Sequence, residues 1–156
     1  MKTYLYFAFG INTNTAGMAQ RCPAARSLGP ALLLDHRYRF AHHADVVIDR
    51  GSDVHGVLWK ITEDCLKSLD RLEGYPYYYD RKWAPVQQQS GDTWALVYFM
   101  QPGVREAPPS TSYYNMVMEG FQEHQVPTDQ ISRALTNAYN VYEQEEFNEY
   151  TQRYLD

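Results

Sequence analysis

The chain has 156 residues, and we expect residues 1–156 to form one domain with a buried core. Its formal charge of −5 argues against a nucleic-acid partner, because protein surfaces that bind nucleic acids are usually basic. No apolar stretch approaches the length of a membrane span and no signal-peptide pattern follows Met1, which predicts a cytoplasmic protein without a membrane partner. Cys22 and Cys65 lack C-x-x-C spacing and do not indicate a disulfide framework, which favours a reducing cytosol.

The first sixty residues are dominated by short strand patterns. Residues 3–9 are apolar and aromatic and end at Gly10, which is typical of a buried strand. Asn14 or Thr15 can cap a short helix that ends before Pro23. Further strands are predicted over residues 31–40, 44–48 and 54–61.

The rest of the chain adds one hairpin and three helices. Thr62 caps a predicted helix whose apolar residues repeat at helical spacing and which ends at Gly74. Residues 77–88 and 93–100 predict two strands joined by a turn. Helices are predicted to start near Ser110 and Thr128. Strands come first and helices cluster late, which favours an α+β fold, a small barrel-like mixed sheet with helices outside.

Glu73 is the best candidate for acid–base chemistry. The predicted helix ends there, before Gly74 and Pro76, and three tyrosines follow at positions 77–79. The helix macrodipole disfavours a negative charge at this end, and aromatic rings that exclude water would raise the pKa of the carboxyl. A carboxyl held in this way can take and give a proton near neutral pH.

Gly10 and Asn12 directly follow the first predicted strand. A turn from a strand towards a helix exposes several backbone N–H groups in one direction, and such groups bind a carboxylate or a developing oxyanion. The segment lacks the lysine and the second glycine of a P-loop, so it does not predict a nucleotide phosphate site.

Five segments, in order along the chain, resemble the gamma-glutamylcyclotransferase-like family. They are residues 6–12 (YFAFGIN) with Met18 and residues 21–23, residues 45–47 (DVV), residues 54–59 (VHGVLW), residues 69–76 (LDRLEGYP), and a last region with Pro109, Ser110, Tyr113, Gly120 and residues 126–127. No single motif decides the resemblance, but the five ordered matches cover most of the chain.

The resemblance implies a small mixed β-barrel and a reaction that needs neither metal nor cofactor. In this reaction the α-amine of a gamma-glutamyl group attacks its own side-chain carbonyl, which releases 5-oxoproline and an amine or amino acid. By resemblance, Glu73 is the general acid/base and the only partner is a small-molecule gamma-glutamyl substrate. The residues in the positions of the family's substrate-binding groups are Phe9, Gly10, Ile11, Asn12, Tyr79, Tyr98 and Tyr113.

Two departures from the family keep a second hypothesis open. The family loop usually carries serine at the position of Ile11 and tyrosine at the position of Phe9. The alternative is therefore a non-catalytic protein that binds a small acid or regulates a partner with the same pocket. An enzyme whose leaving amine belongs to a large carrier or modified metabolite is a further alternative.

Other polar residues support weaker hypotheses. The histidines at positions 42, 43 and 55 match no zinc template, so no metal site is predicted. Asp70 lies one helical turn before Glu73, but we expect it to face solvent or to pair with Arg71. The sequence specifies neither the oligomeric state nor the leaving amine.

Overall fold

A computed structural model describes residues 1–154 of the chain, in which five strands form one sheet that closes on itself. The strands are β1 (Thr3–Ala8), β2 (Arg26–Ala41), β3 (His43–Thr62), β4 (Tyr79–Gln88) and β5 (Gly91–Met100). Their order is β1-β3-β2-β4-β5, and all neighbours are antiparallel except β1 and β5, whose parallel pairing of Tyr6 with Leu96 closes the ring. The predicted α+β fold, a small mixed barrel with peripheral helices, is confirmed.

The three predicted strands over residues 31–40, 44–48 and 54–61 all lie in strands, but the predicted break between the last two is wrong. The structure has two long antiparallel strands there, β2 and β3, and β3 contains both of the later segments. Residues 49–52, whose Asp, Gly and Ser are typical of a turn, instead bulge out opposite Asp35, where the ladder shifts its register. The Asp35 carboxylate accepts a hydrogen bond from the Gly51 N–H at 3.0 Å, and both residues have positive φ angles. Residues that are typical of a turn can therefore form a β-bulge within a pair of hydrogen-bonded strands.

In the described part of the chain, residues 1–154, four helices pack around the sheet, and three of them begin at side-chain caps. The helices are α1 (Thr15–Arg21), α2 (Glu63–Glu73), α3 (Thr111–Glu123) and α4 (Asp129–Tyr154). The capping oxygens belong to Asn14, Thr62 and Ser110, and each accepts a backbone N–H of the first turn at 3.1–3.3 Å. Within residues 1–154, none of the helices is long and apolar enough to cross a membrane.

Cys22 and Cys65 form a disulfide, although their spacing did not indicate a disulfide framework, so that inference is wrong. They are separated by 43 positions in the sequence, but the packing of α1 against α2 brings their Cα atoms to 5.0 Å. Cysteine spacing alone could not show this proximity, because β2 and β3 return the chain to α1. Because the two cysteines are paired, they no longer support the expectation of a reducing cytosol.

Gly120 lets α3 approach the segment that follows β1 very closely. A Cβ atom at this position would lie 2.5 Å from the carbonyl carbon of Thr13 and 2.6 Å from the backbone nitrogen of Asn14. Only glycine avoids that overlap. The contact clamps residues 11–13, a single 3₁₀ turn, between β1 and α3.

Candidate active site

Glu73 is the last residue of α2, and the turn that follows it is fixed by backbone hydrogen bonds. Gly74 takes a left-handed conformation with φ of 64°, which glycine adopts without strain. The Tyr75 N–H donates to the Asp70 carbonyl at 2.9 Å, and the Gly74 carbonyl accepts the Tyr78 N–H at 2.9 Å. The chain thereby turns back at once and places tyrosines beside the carboxyl group, while β4 begins only at Tyr79 rather than at residue 77.

Asn12 connects the loop after β1 to Glu73. Its side-chain Nδ2 donates to Glu73 Oε1 at 3.2 Å and to the Tyr6 hydroxyl at 3.0 Å, while its Oδ1 accepts from Arg21 Nε at 2.9 Å. Because a guanidinium can only donate, the amide oxygen must face Arg21 and the amide nitrogen must face the carboxylate. Arg21 therefore fixes which end of the Asn12 amide is presented to Glu73.

Burial sets the protonation behaviour of Glu73. Removal of the carboxyl from water raises its pKa from 4.5 to about 7, against a smaller opposing effect of the Arg21 charge. Glu73 is thus close to half-ionised at neutral pH, where one carboxyl can serve as both base and acid.

The aromatic residues around Glu73 enclose a cavity of about 180 Å³. Its lining residues are Tyr6, Phe9, Gly10, Ile11, Asn12, His43, Ala44, Leu72, Glu73, Tyr78, Tyr79, Tyr98 and Tyr113. All eight residues that the sequence singled out for the site are among them. The structure therefore brings together the groups that the resemblance proposed for one pocket, from the segment after β1, the end of α2, the strands β4 and β5, and α3.

Two of the pocket tyrosines are anchored by their hydroxyl groups. The Tyr79 hydroxyl donates to the Ala44 carbonyl at 2.6 Å, and the Tyr113 hydroxyl accepts the Ala44 N–H at 3.1 Å. Burial raises the pKa of both hydroxyls, so both stay neutral. Ala44 thus holds two rings rigidly against the cavity.

Tyr98 presents its ring to the cavity and directs its hydroxyl elsewhere. The hydroxyl donates to Asp70 Oδ1 at 2.6 Å, and the same carboxylate accepts from Arg81 at 2.9 Å. The expectation that Asp70 faces solvent or pairs with Arg71 is therefore wrong. The partner of Asp70 is Arg81 on β4, eleven residues further along the chain. Neighbouring positions in the sequence do not indicate this pairing.

The structure also adds six residues to the predicted site. Arg21 holds Asn12, and the five that line the cavity are Tyr6, His43, Ala44, Leu72 and Tyr78. Tyr6 had a usable signal, because alternate residues of a strand share a face and Tyr6 lies on the same face as Ala8, next to the loop. Arg21 belongs to a segment that resembles the family, but nothing in the sequence places the end of α1 against residue 12.

His55 lies apart from this arrangement. The backbone of His55 on β3 exchanges hydrogen bonds with the Gln130 side chain on α4. Across residues 1–154, the structure contains no group of three or more His, Cys, Asp or Glu side chains placed to hold a metal ion.

The model of the gamma-glutamyl cyclotransferase, AIG2-like family matches residues 6–120, a range that contains all eight predicted site residues. The chain belongs to this family. Two mammalian relatives are similar over most of its length.

Human gamma-glutamylcyclotransferase is 28% identical to this family member over 141 residues, which cover 82% of this chain and 75% of the human protein. The Bos taurus gamma-glutamylcyclotransferase is 27% identical with the same coverage. A solved structure of a gamma-glutamyl cyclotransferase has a TM-score of 0.77 and 27% identity, and the match covers 85% of this chain and 86% of that one. The cyclotransferase family fold therefore extends beyond the matched segment.

Proposed function

We propose that this chain is a cyclotransferase that releases 5-oxoproline from a gamma-glutamyl amine or amino-acid derivative, with Glu73 as general acid/base. The observation that carries the proposal is the Glu73 carboxyl itself. It lies in an aromatic cavity, its pKa is raised to about 7, and it is positioned by Asn12 from the loop after β1. Family membership supports the same reaction class.

The reaction requires only proton transfers by the protein. The α-ammonium of the glutamyl group gives a proton to Glu73, and the free amine attacks the side-chain carbonyl carbon. A carbon–nitrogen bond forms to close the five-membered ring, and the bond to the leaving nitrogen breaks as Glu73 returns its proton there. Glu73 then takes a second proton from the ring nitrogen and passes it to the departing amine. Of the three ammonium protons, one ends on the lactam nitrogen and two end on the departing amine, so no water is consumed.

The cavity suits this chemistry because the reaction is intramolecular. Holding the flexible glutamyl chain bent supplies much of the acceleration, since the amine and the carbonyl carbon belong to one molecule. The loop formed by Gly10, Ile11 and Asn12 would hold the glutamyl end through its backbone. The buried tyrosine rings keep water away, which maintains the high pKa of Glu73.

The decisive experiment compares Glu73→Gln with the unmodified protein. We expect 5-oxoproline release to fall by at least about 100-fold, the lower end for loss of a general acid–base group. Glutamine keeps the acceptor for Asn12, so far-UV circular dichroism and the Kd for a gamma-glutamyl ligand should change little. Glu119→Gln, on the exposed face of α3, is the matched control and should retain activity.

A panel of gamma-glutamyl amino acids, gamma-glutamyl amines and glutathione tests the alternative of a non-catalytic binder. Absence of 5-oxoproline from every compound, together with tight binding of one of them, would favour the binder. Full turnover by Glu73→Gln would instead refute the assigned role of Glu73.

A further inference from the structure

The Cys22–Cys65 disulfide joins the two helices that carry Arg21 and Glu73. Cys22 is the C-cap of α1 and directly follows Arg21, the last residue of that helix. Cys65 lies in the first turn of α2, whose last residue is Glu73. Because Arg21 is bonded to Asn12 and Asn12 to Glu73, the disulfide completes a closed ring of contacts between α1, α2 and the loop after β1.

The position of the Arg21 side chain depends on the last turn of α1. Its guanidinium lies across Gly17, where a Cβ atom would come 2.7 Å from Arg21 Nη2. Nη2 also lies 3.5 Å from the Ile11 carbonyl oxygen, and Nε donates to Asn12 at 2.9 Å. A helix of seven residues has little stability of its own, so contacts at its ends decide whether the last turn keeps this shape. Asn14 caps one end, and the disulfide attaches the other end to α2.

A groove outside the candidate active site leads to the disulfide. It has a volume of about 540 Å³, and both cysteines lie among its lining residues, together with Arg21. The exposed fractions of Cys22 and Cys65 are only 2% and 4%, so the bond lies deep in the groove. A reductant that approaches the bond from this side does not enter the cavity around Glu73.

We propose that the Cys22–Cys65 disulfide is a redox switch of the candidate active site, opened by a dithiol reductant that approaches through this groove. The inference rests on the proposed function for the catalytic role of Glu73. A thiolate of the reductant attacks one cysteine sulfur, the sulfur–sulfur bond breaks, and the other cysteine leaves as a thiolate that takes up a proton. The second thiol of the reductant then attacks the mixed disulfide and releases the second cysteine. Two electrons and two protons pass to the protein, and the reductant becomes a disulfide.

Reduction detaches the last turn of α1 from α2. Arg21 then no longer fixes the Asn12 amide, because its backbone is no longer tied to the helix that ends at Glu73. An amide that rotates freely also turns its oxygen towards Glu73, and the carboxyl loses the donor that positions it. We expect kcat/KM for 5-oxoproline release to fall by about 3- to 10-fold on reduction, the range for loss of one hydrogen bond.

The test measures kcat/KM of the unmodified protein at several ratios of reduced to oxidised dithiothreitol. Turnover should fall as the two thiols become free, counted with a thiol reagent, and should return on reoxidation. The double variant Cys22→Ser, Cys65→Ser is the matched control and should not respond to the reductant. The inference fails if turnover stays constant while both thiols are free, if dithiothreitol does not open the bond, or if circular dichroism shows that the reduced protein unfolds.

The variant Arg21→Gln shows whether the effect of reduction passes through the arginine. Without the guanidinium, opening the disulfide releases no arginine, so reduction should change kcat/KM of Arg21→Gln by less than about 2-fold. A loss equal to that of the unmodified protein would mean that reduction loosens the whole fold, and it would overturn the inference.

A second readout does not depend on turnover. The two protons on Asn12 Nδ2 donate to the Tyr6 hydroxyl and to Glu73 Oε1. Followed by NMR, they should exchange with water at least about 5-fold faster after reduction. If no gamma-glutamyl compound releases 5-oxoproline but this exchange accelerates, the proposed function fails and the switch stands. If 5-oxoproline is released but neither turnover nor exchange responds to reduction, the proposed function stands and the inference fails.

Discussion

Replacing Glu73 with glutamine should stabilise the fold in a strongly pH-dependent way. The folded protein holds the proton of this carboxyl more tightly than the unfolded chain does, because burial raises its pKa from 4.5 to about 7. As the pH rises between these values, the unfolded chain loses its proton first, so the stability of the wild type falls. Below pH 4.5 both states are protonated and the penalty is absent.

The size of the effect follows from the same pKa values. The interval from 4.5 to about 7, at about 1.36 kcal/mol per pKa unit, corresponds to about 3 kcal/mol. Glutamine has nearly the same shape, carries no charge and still accepts from Asn12. The free energy of unfolding of Glu73→Gln should therefore exceed that of the wild type by about 3 kcal/mol at pH 8 and by almost nothing at pH 4.

Urea unfolding at a series of pH values between 4 and 8, followed by circular dichroism, measures this difference directly. The control is Glu119→Gln, whose exposed side chain should change stability by less than about 0.5 kcal/mol at every pH. An increase in the free energy of unfolding of Glu73→Gln that is equally large at pH 4 and pH 8, or no increase at pH 8, would refute the conclusion that burial destabilises the ionised form of Glu73.

Three further variants test the surroundings of Glu73. Arg21→Gln removes the charge that lowers the Glu73 pKa, so the acidic limb of the pH profile of kcat/KM should move to higher pH, whereas a purely structural role would lower activity without moving it. Cys22→Ser opens a link between positions 43 residues apart and should lower the free energy of unfolding in urea by about 4 kcal/mol, and no loss would show that the link is not formed in solution. Gly120→Ala forces a Cβ against Thr13 and should cost about 1–3 kcal/mol and reduce turnover, with a neutral result contradicting the close packing of α3.

Local signals predicted the parts of the site that depend on neighbours in the sequence. The α2 helix has Thr62 as its N-cap and Gly74 as its C-cap, as predicted, because capping and left-handed glycine are properties of a few adjacent residues. The proximity of Glu73 to the loop after β1 came from the family resemblance. The hydrogen bond between Asn12 and Glu73, across 61 positions, shows how far beyond local patterns that proximity lies.

Two of the features that the sequence did not predict depend on long-range packing. The Cys22–Cys65 link and the contact of Tyr98 with Asp70 both join segments that only the closed sheet brings together. The bulge opposite Asp35 was missed for another reason, since turn-forming residues serve a bulge as well as a turn. A single domain over residues 1–156 and a cytoplasmic location remain predictions.

The parallel pairing of Tyr6 with Leu96 joins the two ends of the sheet, and we expect the site to be completed late in folding for this reason. Its walls come from positions as far apart as Tyr6 and Tyr113, so every wall depends on contacts between distant parts of the chain. Such contacts carry a high entropic cost of loop closure and form slowly. We therefore expect a truncated or half-folded chain to lack the pocket. Release of 5-oxoproline would then be a more sensitive measure of sheet closure than helix content is.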